Sequence, residues 1–383
     1  GDDYGVKNVT LHYTIKKTNE KGVAVGQPKS GSINVPVKPG VSVPFNQMLD
    51  IRQLHLDAGD QLSYYFAACD NDAVNGSKCT RSVTFSYEKP TEKQLDSILQ
   101  KNQEQINRDL NNTARQNDKM DQEIKQMQEK LLDKNELDWE DKKKVEDMVK
   151  RNENVQQEIE HIKKKFELNK QQSSEKNYSD QVKDKQENIE KLLDELKNNE
   201  LDAHMKKLEE LMKLLDKDKL FEQLKQTEQD NNLMEKDLDR MVEMMKQLER
   251  DMRMEDIAHK AEELAKKQDE LNKETEAGKK AEELAKKQDE LNKEMNGLKK
   301  DMEELAKLNE SMNNKKDLDE MKKEEKDAEQ SMENSSNELK SGQSSKASKS
   351  QKKAKESLEK LAKKMEESAS GGDSKELEID EKA

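Results

Sequence analysis

The feature that most constrains this chain is a narrow apolar stripe that recurs through residues 91–332. Counted in alternating threes and fours, Ile106, Leu110, Thr113, Asn117, Met120, Ile124, Met127 and Leu131 fall on one helix face. Val145, Met148, Asn152, Val155, Ile159, Ile162 and Phe166 make a second run, and Met234, Leu238, Met241, Met245, Leu248 and Met252 a third. A repeat of about 3.5 residues, with Lys and Glu elsewhere, leaves a seam that only another helix can bury. The expected architecture is mainly α, with long coiled-coil helices. Composition points the same way: 41% of the residues are charged, 30% hydrophobic and 3% aromatic. That is too little apolar surface for several compact cores, but it suits helices that each bury one stripe. Whether the seams close within one chain or between chains is left open by the pattern.

Residues 1–89 differ in character from the helical region. They hold both Cys and four of the five Pro. Val9, Leu11, Tyr13 and Ile15 alternate with polar neighbours as a half-buried strand requires. Ile33, Val35 and Val37 repeat the pattern, with Pro36 marking an edge position. Segments 41–45 and 51–56 are weaker strand candidates, while 62–68 and 81–87 make the best pair, joined by a loop over 70–78. Short strands punctuated by Gly, Asn and Pro predict a small immunoglobulin-like β-sandwich over residues 1–89. Gly1-Asp2-Asp3 reads as the end of a strand, so the sandwich is expected to be incomplete and an anchor or export signal to lie upstream.

Pro90 closes that region, and Thr91 with Gln94 has the form of a capping box. A helix is expected from there to about Leu132, then an interruption over 133–137. Asp138 with Asp141 caps a second helix running to about Asn169, so residues 91–170 read as an antiparallel hairpin. Asn117 and Asn152 sit at seam positions in opposite arms, where buried Asn fixes register. Further helices fill 180–333, with Ser179 as a cap, breaks at 198–202 and 216–219, and a longer helix over 228–275. The whole helical region spans 90–333. Within it KAEELAKKQDELNKE occurs twice, at 260–274 and 280–294. The period is one residue short of three heptads, and Gly278 sits where the phase of a continuous helix slips. Local duplication explains the repeat. Residues 334–383 read as a Ser/Lys-rich flexible tail with one short helix around Leu358, Leu361 and Met365.

No catalytic constellation emerges. The five His are scattered without a second ligand at helical spacing, which gives no metal site. No glycine-rich phosphate loop or nucleophile motif is present, so no catalytic or cofactor-binding residue is assigned and no enzyme is expected. Cys69 and Cys79 flank one hairpin mouth and are expected to form a disulfide, the alternative being two reduced thiols. The loop from Asp70 to Gly76 resembles a calcium loop with one residue too many, and an Asn/Asp/Gly turn accounts for it. Met234, Met241, Met244, Met245 and Met252 form a stripe that suits either an adaptable partner surface or ordinary seam packing. Lys346, Lys349, Lys352, Lys353 and Lys355 suit phosphates or anionic lipid, or simply a solvated linker. A net charge of -14 opposes nucleic-acid binding. No run of about 18 apolar residues is present, so membrane attachment is expected only through an upstream segment.

The stretches DDYGVKNVTLHY, VPFNQMLDIRQLHLDAGDQLSYYF, ACDNDAVNGSKCTRS and LLDKNELDWEDKKK resemble those of an uncharacterised bacterial family of large membrane-anchored envelope proteins. That family carries N-terminal membrane helices, then immunoglobulin-like β domains, then a long coiled coil, and is a domain of unknown function. The resemblance covers roughly residues 1–310. It implies an extracytoplasmic, periplasmic protein of the cell envelope and carries over no functional residues. The expected role is a non-enzymatic structural scaffold or spacer, working through protein partners or through self-association of coiled coils. The alternative is a protein-binding module that uses the β-sandwich or the Met-rich helix over 228–275.

Overall fold

The computed structural model describes residues 5–18, 23–71, 77–133, 138–197, 201–214 and 217–371. The chain divides into two units, Gly1–Lys101 and Asn102–Ala383. The molecule is mainly helical, with a small antiparallel sheet at its N-terminal end.

In the first unit, β1 (Val6–Lys16), β2 (Lys29–Val35), β3 (Gln61–Asp70), β4 (Cys79–Arg81) and β5 (Phe85–Glu88) form one antiparallel sheet in the order β2-β1-β3-β4, with β5 also on β3. Alternation does what it predicts: Val9, Leu11 and Ile15 on β1 and Leu62 on β3 point to the buried face. Val37, Leu49, Ile51, Leu54 and Leu56 cover it. Tyr13 faces Gly31 across the β1–β2 pair. A Cβ at Gly31 would run into the Tyr13 hydroxyl, so the phenol fills the space a side chain would need. Pro36 comes directly after the last residue of β2, an edge strand, where its missing donor costs nothing. Three strand expectations are corrected. Residues 41–45 form no strand, and only Gly40 bridges to Val6. Ile51–Leu54 is a short 3-10 turn. The expected strand over 81–87 splits in two because the Ser82 hydroxyl, 3.0 Å away, accepts the Phe66 N–H and displaces the regular ladder. Part of the 70–78 loop lies outside the described residues, as do residues 134–137, most of the 198–202 break, residue 216 and the end of the tail.

The second unit is built by α1 (Glu92–Asp133), α2 (Trp139–Ser173), α3 (Asp180–Lys197), α4 (Leu201–Leu214), α5 (Lys217–Glu276), α6 (Ala281–Glu310), α7 (Asp319–Lys340) and α8 (Ser344–Ser370), the first turns of α1 belonging to the first unit. The starts obey local chemistry. Thr91 Oγ1 accepts the Gln94 N–H while Gln94 Oε1 accepts the Thr91 N–H. Asp138 and Asp141 form the same reciprocal box at α2. Ser179 Oγ accepts the Val182 N–H at α3.

Cross-helix pairs fix the directions. Glu123–Arg151 and Asp109–Lys165 set α1 antiparallel to α2. Glu160–Lys197 and Lys170–Glu190 set α2 against α3. Lys185–Asp251 and His204–Asp230 set the α3–α4 arm against α5. Gln103 to the Met245 carbonyl and Asn117 to the Asn231 carbonyl close the square between α5 and α1. The apolar stripes meet inside as one core from Ile106 to Met252. Asn117 and Asn152 are both fully buried, but they do not meet. Asn117 donates to α5 and Asn152 donates to Asp202 of α4, because each seam faces a square of helices and not one partner.

Helix α5 spans 60 residues, about 90 Å at 1.5 Å per residue. Its first half belongs to that core and its second half to another, running from Met254 to Ala369 with α6, α7 and α8. Lys267–Glu294 pairs α5 with α6, Lys299–Glu329 pairs α6 with α7, Lys364–Glu324 pairs α7 with α8, and Lys355–Asp269 pairs α8 with α5. Two expectations are overturned here. The chain does not continue as one helix through Gly278 but reverses there. Gly278 takes φ +73°, its N–H donates to the Thr275 carbonyl, and the Lys279 N–H donates to the Glu274 carbonyl. These are the two bonds of a Schellman turn. Residues 334–370 are likewise not a flexible tail. Gly342, at φ +72°, ends α7 with the same pair of bonds, and α8 runs 27 residues with Ala347, Gln351, Ala354, Leu358, Leu361 and Met365 buried.

Candidate functional site

The densest polar cluster lies where α5 passes from one core to the next. Its sequence there is Glu249-Arg250-Asp251-Met252-Arg253-Met254-Glu255-Asp256. A helix packed on more than one side must bury charge if its sequence offers nothing else. Arg250 and Asp251 are 0% exposed. Asp251 accepts Lys185 Nζ at 2.5 Å, Arg250 Nε at 3.1 Å and Lys316 Nζ at 3.2 Å. Arg250 also donates to the Asn314 carbonyl at 2.9 Å, and Lys316 to the Ser368 carbonyl at 2.5 Å. One carboxylate therefore gathers α3, the α6–α7 connection and, through Lys316, the end of α8 around α5.

The flanks repeat the arrangement. Asp256 accepts the Tyr178 hydroxyl at 3.1 Å and Lys176 at 2.5 Å, and Glu255 accepts the Ser179 N–H at 2.8 Å. Arg253 joins Glu249 to Glu304 of α6, each at 2.9 Å. Burial pushes the Glu249 and Glu255 carboxyls above the usual carboxylate range, with Arg253 and Ser179 working against it. Charges ringed by fixed partners position helices well. They make a poor general acid or nucleophile, which must be presented to a substrate.

A second polar layer lies deep in the Met254–Ala369 core. Gln268 and Gln288 exchange amide hydrogen bonds, both at 2.9 Å, and Ser335 and Gln351 donate to the Gln288 oxygen at 2.9 and 3.3 Å. Each of four helices contributes one buried residue. Such a layer sets register rather than chemistry.

The first unit carries the surface features. Cys69 and Cys79 are directly opposed on β3 and β4, their Cα atoms are 4.1 Å apart, and they form a disulfide. Beside them on the outer face of the sheet, His12 stacks on Tyr65 with centroids 5.1 Å apart, and the Arg81 guanidinium lies 5.0 Å from the same ring. Around the other face, Phe45 and Phe85 are 41% and 44% exposed.

The remaining sequence-predicted residues divide clearly. Met234, Met241, Met245 and Met252 are buried in the first core, with Met244 packed against it, which corrects the reading of this stripe as an open partner surface. The heptad phase already contained the reason. His12, His161 and His204 lie apart, each beside a different partner, Tyr65, Glu158 and Asp230. Asp70 spends its carboxylate on the Lys78 N–H at 2.8 Å and its carbonyl on the Ser77 hydroxyl. Lys352 and Lys355 pair with Glu276 and Asp269 of α5 instead of lying in a linker. Between α1 and α2 lies a groove of about 360 Å³ whose Arg151 and Lys130 are engaged by Glu123 and Asp141. Among the described residues no group of three or more His, Cys, Asp or Glu is arranged to hold a metal ion, and no helix is long and apolar enough to cross a membrane.

Sequence reasoning missed Arg250, Asp251 and the Gln268 layer. The signal for the first was a charged pair, Arg250-Asp251, set between the seam residues Leu248 and Met252. No family model, curated protein or solved structure matches the chain.

Proposed function

We propose that this chain is a non-enzymatic spacer or scaffold of a bacterial cell envelope, in which the helical unit holds distance and the first unit meets a protein partner. The observation that carries the reading is the use made of α5: one 60-residue helix shared by two successive cores. A shared helix joins the two cores without a hinge of loop residues, and the charged cluster from Glu249 to Asp256 ties that crossing point to its neighbours. A rigid distance is what such a design supplies. Coiled-coil packing is the finer reading we attach to the buried 3.5-residue stripes, and an immunoglobulin-like sandwich is the finer reading for the sheet. The disulfide supports an oxidising, extracytoplasmic site. The resemblance of 1–310 to large envelope proteins supports anchorage through an upstream segment.

The alternative, a binding module, is supported for the first unit by the His12–Tyr65–Arg81 stack together with the exposed Phe45 and Phe85. The Met-rich helix offers no such face. Cross-linking mass spectrometry in native cells tests both. Partner cross-links should gather on Lys7, Lys29 and Lys38 of the first unit and be sparse along α2 to α6. An even spread over the helices contradicts the spacer reading. An absence of links from the first unit contradicts its binding role.

A further inference from the structure

One end of the first core carries an apolar tip. Trp139, the single Trp of the chain, is 75% exposed, and Leu132 and Leu214 are 69% and 75% exposed. Leu132 and Trp139 flank the α1–α2 connection, and Leu214 and Phe221 flank the α4–α5 connection. Cross-helix contacts bring the two pairs to one level. Lys130 bonds to Asp141 between α1 and α2, Gln128 to Glu228 between α1 and α5, and His204 to Asp230 between α4 and α5. Counted from these contacts at 1.5 Å per residue, Leu132, Trp139, Leu214 and Phe221 lie within about 6 Å of one another along the bundle axis. A lysine stands over each aromatic ring. Lys143 Nζ is 5.6 Å from the Trp139 centroid and Lys225 Nζ is 4.7 Å from that of Phe221.

We propose that this tip is a membrane-surface contact, at which Leu132, Trp139 and Leu214 insert into the headgroup region of a lipid bilayer. Area argues against a folded protein as the occupant. Three side chains of this size expose roughly 400 Å² in all, half of the ~800 Å² per partner that a stable protein interface buries. A second copy of the chain meets the same limit. A fluid bilayer needs no complementary shape, and its hold grows with the apolar area inserted.

The chemistry around the tip selects the lipid interface. Trp is amphipathic and collects at headgroup level, where its N–H finds polar groups and its ring the acyl boundary. Lysine stems lie along apolar surface while the ammonium stays in water, so Lys143 and Lys225 cover their rings without blocking insertion. The charges at the α1–α2 end are balanced, with Asp133, Asp138 and Glu140 against Lys142, Lys143 and Lys144. A zwitterionic headgroup, which carries an ammonium and a phosphate, complements both signs. A strongly basic tip would have called for anionic lipid instead. The contact needs no spanning helix. It goes beyond the spacer reading and does not rest on it.

The test uses the full chain, with its disulfide intact, and vesicles of phosphatidylcholine and phosphatidylethanolamine. Because Trp139 is the only Trp, its fluorescence reports the tip alone. Emission should shift to the blue when vesicles are added and be quenched by lipids brominated near the headgroup end of their acyl chains. Both responses should persist in high salt. Leu132→Ser combined with Leu214→Ser, both at exposed positions, should keep helicity and weaken co-sedimentation with vesicles about tenfold or more. Failure of the intact chain to sediment with these vesicles overturns the proposal, and so does undiminished binding by the double variant. Binding that requires anionic lipid and is lost in high salt assigns the contact to charge and overturns insertion. A blue shift that appears without lipid as protein concentration rises gives the tip to a second copy and overturns it as well.

Discussion

The two halves of α5 are one helix in two different environments. From Leu220 to Met252 it packs among Leu, Ile, Val, Met and Phe of α1 to α4. From Met254 onward Ala joins the Leu and Met: Ala285, Ala328, Ala347, Ala354 and Ala362 are buried with Ala258, Ala261 and Ala265, whereas the first core buries no Ala. Large side chains hold helices apart and supply stability through apolar area. Ala allows backbones to approach closely, so stability there depends on fit, and the room left for error is smaller. The polar layers differ in the same sense. In the first core Asn231 is fully buried and neither side-chain atom of its amide has a hydrogen-bond partner in the protein. In the second, Gln268, Gln288, Ser335 and Gln351 bond to one another. Between the two lies the charged crossing at Asp251, which belongs to neither style.

The crossing should give the largest effect. Asp251→Ala leaves Arg250, Lys185 and Lys316 without their shared carboxylate and should cost about 3–5 kcal/mol in urea denaturation. Glu310→Ala, at an exposed pair with Lys315, should cost far less. Equal effects would remove the crossing from its place in this account.

Opposite substitutions then separate the two cores. Leu238→Ala in the first should cost about 2–5 kcal/mol through lost area and a cavity. Ala354→Leu in the second should cost about 1–3 kcal/mol through overpacking. If Ala354→Leu stabilises the protein, the second core is not close-packed.

A titration sharpens the comparison further. Glu325 of α7 is only 9% exposed, and its carboxyl is raised by burial first and by Glu329 second. A raised acid binds its proton more tightly in the folded chain. Its contribution is full below the ordinary value near 4.5 and is lost as pH rises through the raised one. Glu325→Gln should therefore raise the neutral-pH melting temperature and flatten that part of the profile. An unchanged profile would contradict the assignment.

The smallest effect is expected for Met241→Leu, Met245→Leu and Met252→Leu combined. Helicity should hold, and stability should change by less than about 1.5 kcal/mol, because volume is conserved and Leu loses less freedom on burial.

Legibility in the sequence divides along the same line. A seam written in Leu, Ile, Val and Met announces its phase, and the caps at Thr91, Asp138 and Ser179 announce its starts. The seam of α8, written as Ala347, Gln351, Ala354 and Leu358 among Ser and Lys, has the composition of a linker. Its burial depends on α5 and α7 both packing closely against α8. Gly278 was visible as an interruption, but a reversal and a slip leave the same letter, and Gly342 was lost in a stretch that reads as a tail. Asp251 was hidden because a charged residue on a helix is by default solvated, and only the packing of α3 and the α6–α7 connection makes it a core residue. The split at Ser82 needed the Phe66 N–H to be placed first.

The central claim is that the seams of α1 to α5 are closed by the chain itself. Spin labels at Lys119 of α1 and Asn154 of α2, both exposed, test it most directly. Their separation should be about 20 Å or less, and it should survive dilution with unlabelled protein, since antiparallel helices pack about 10 Å apart. A distance near 50 Å, that of a continuous helix over the same residues, would contradict the account. So would a short distance that disappears on dilution.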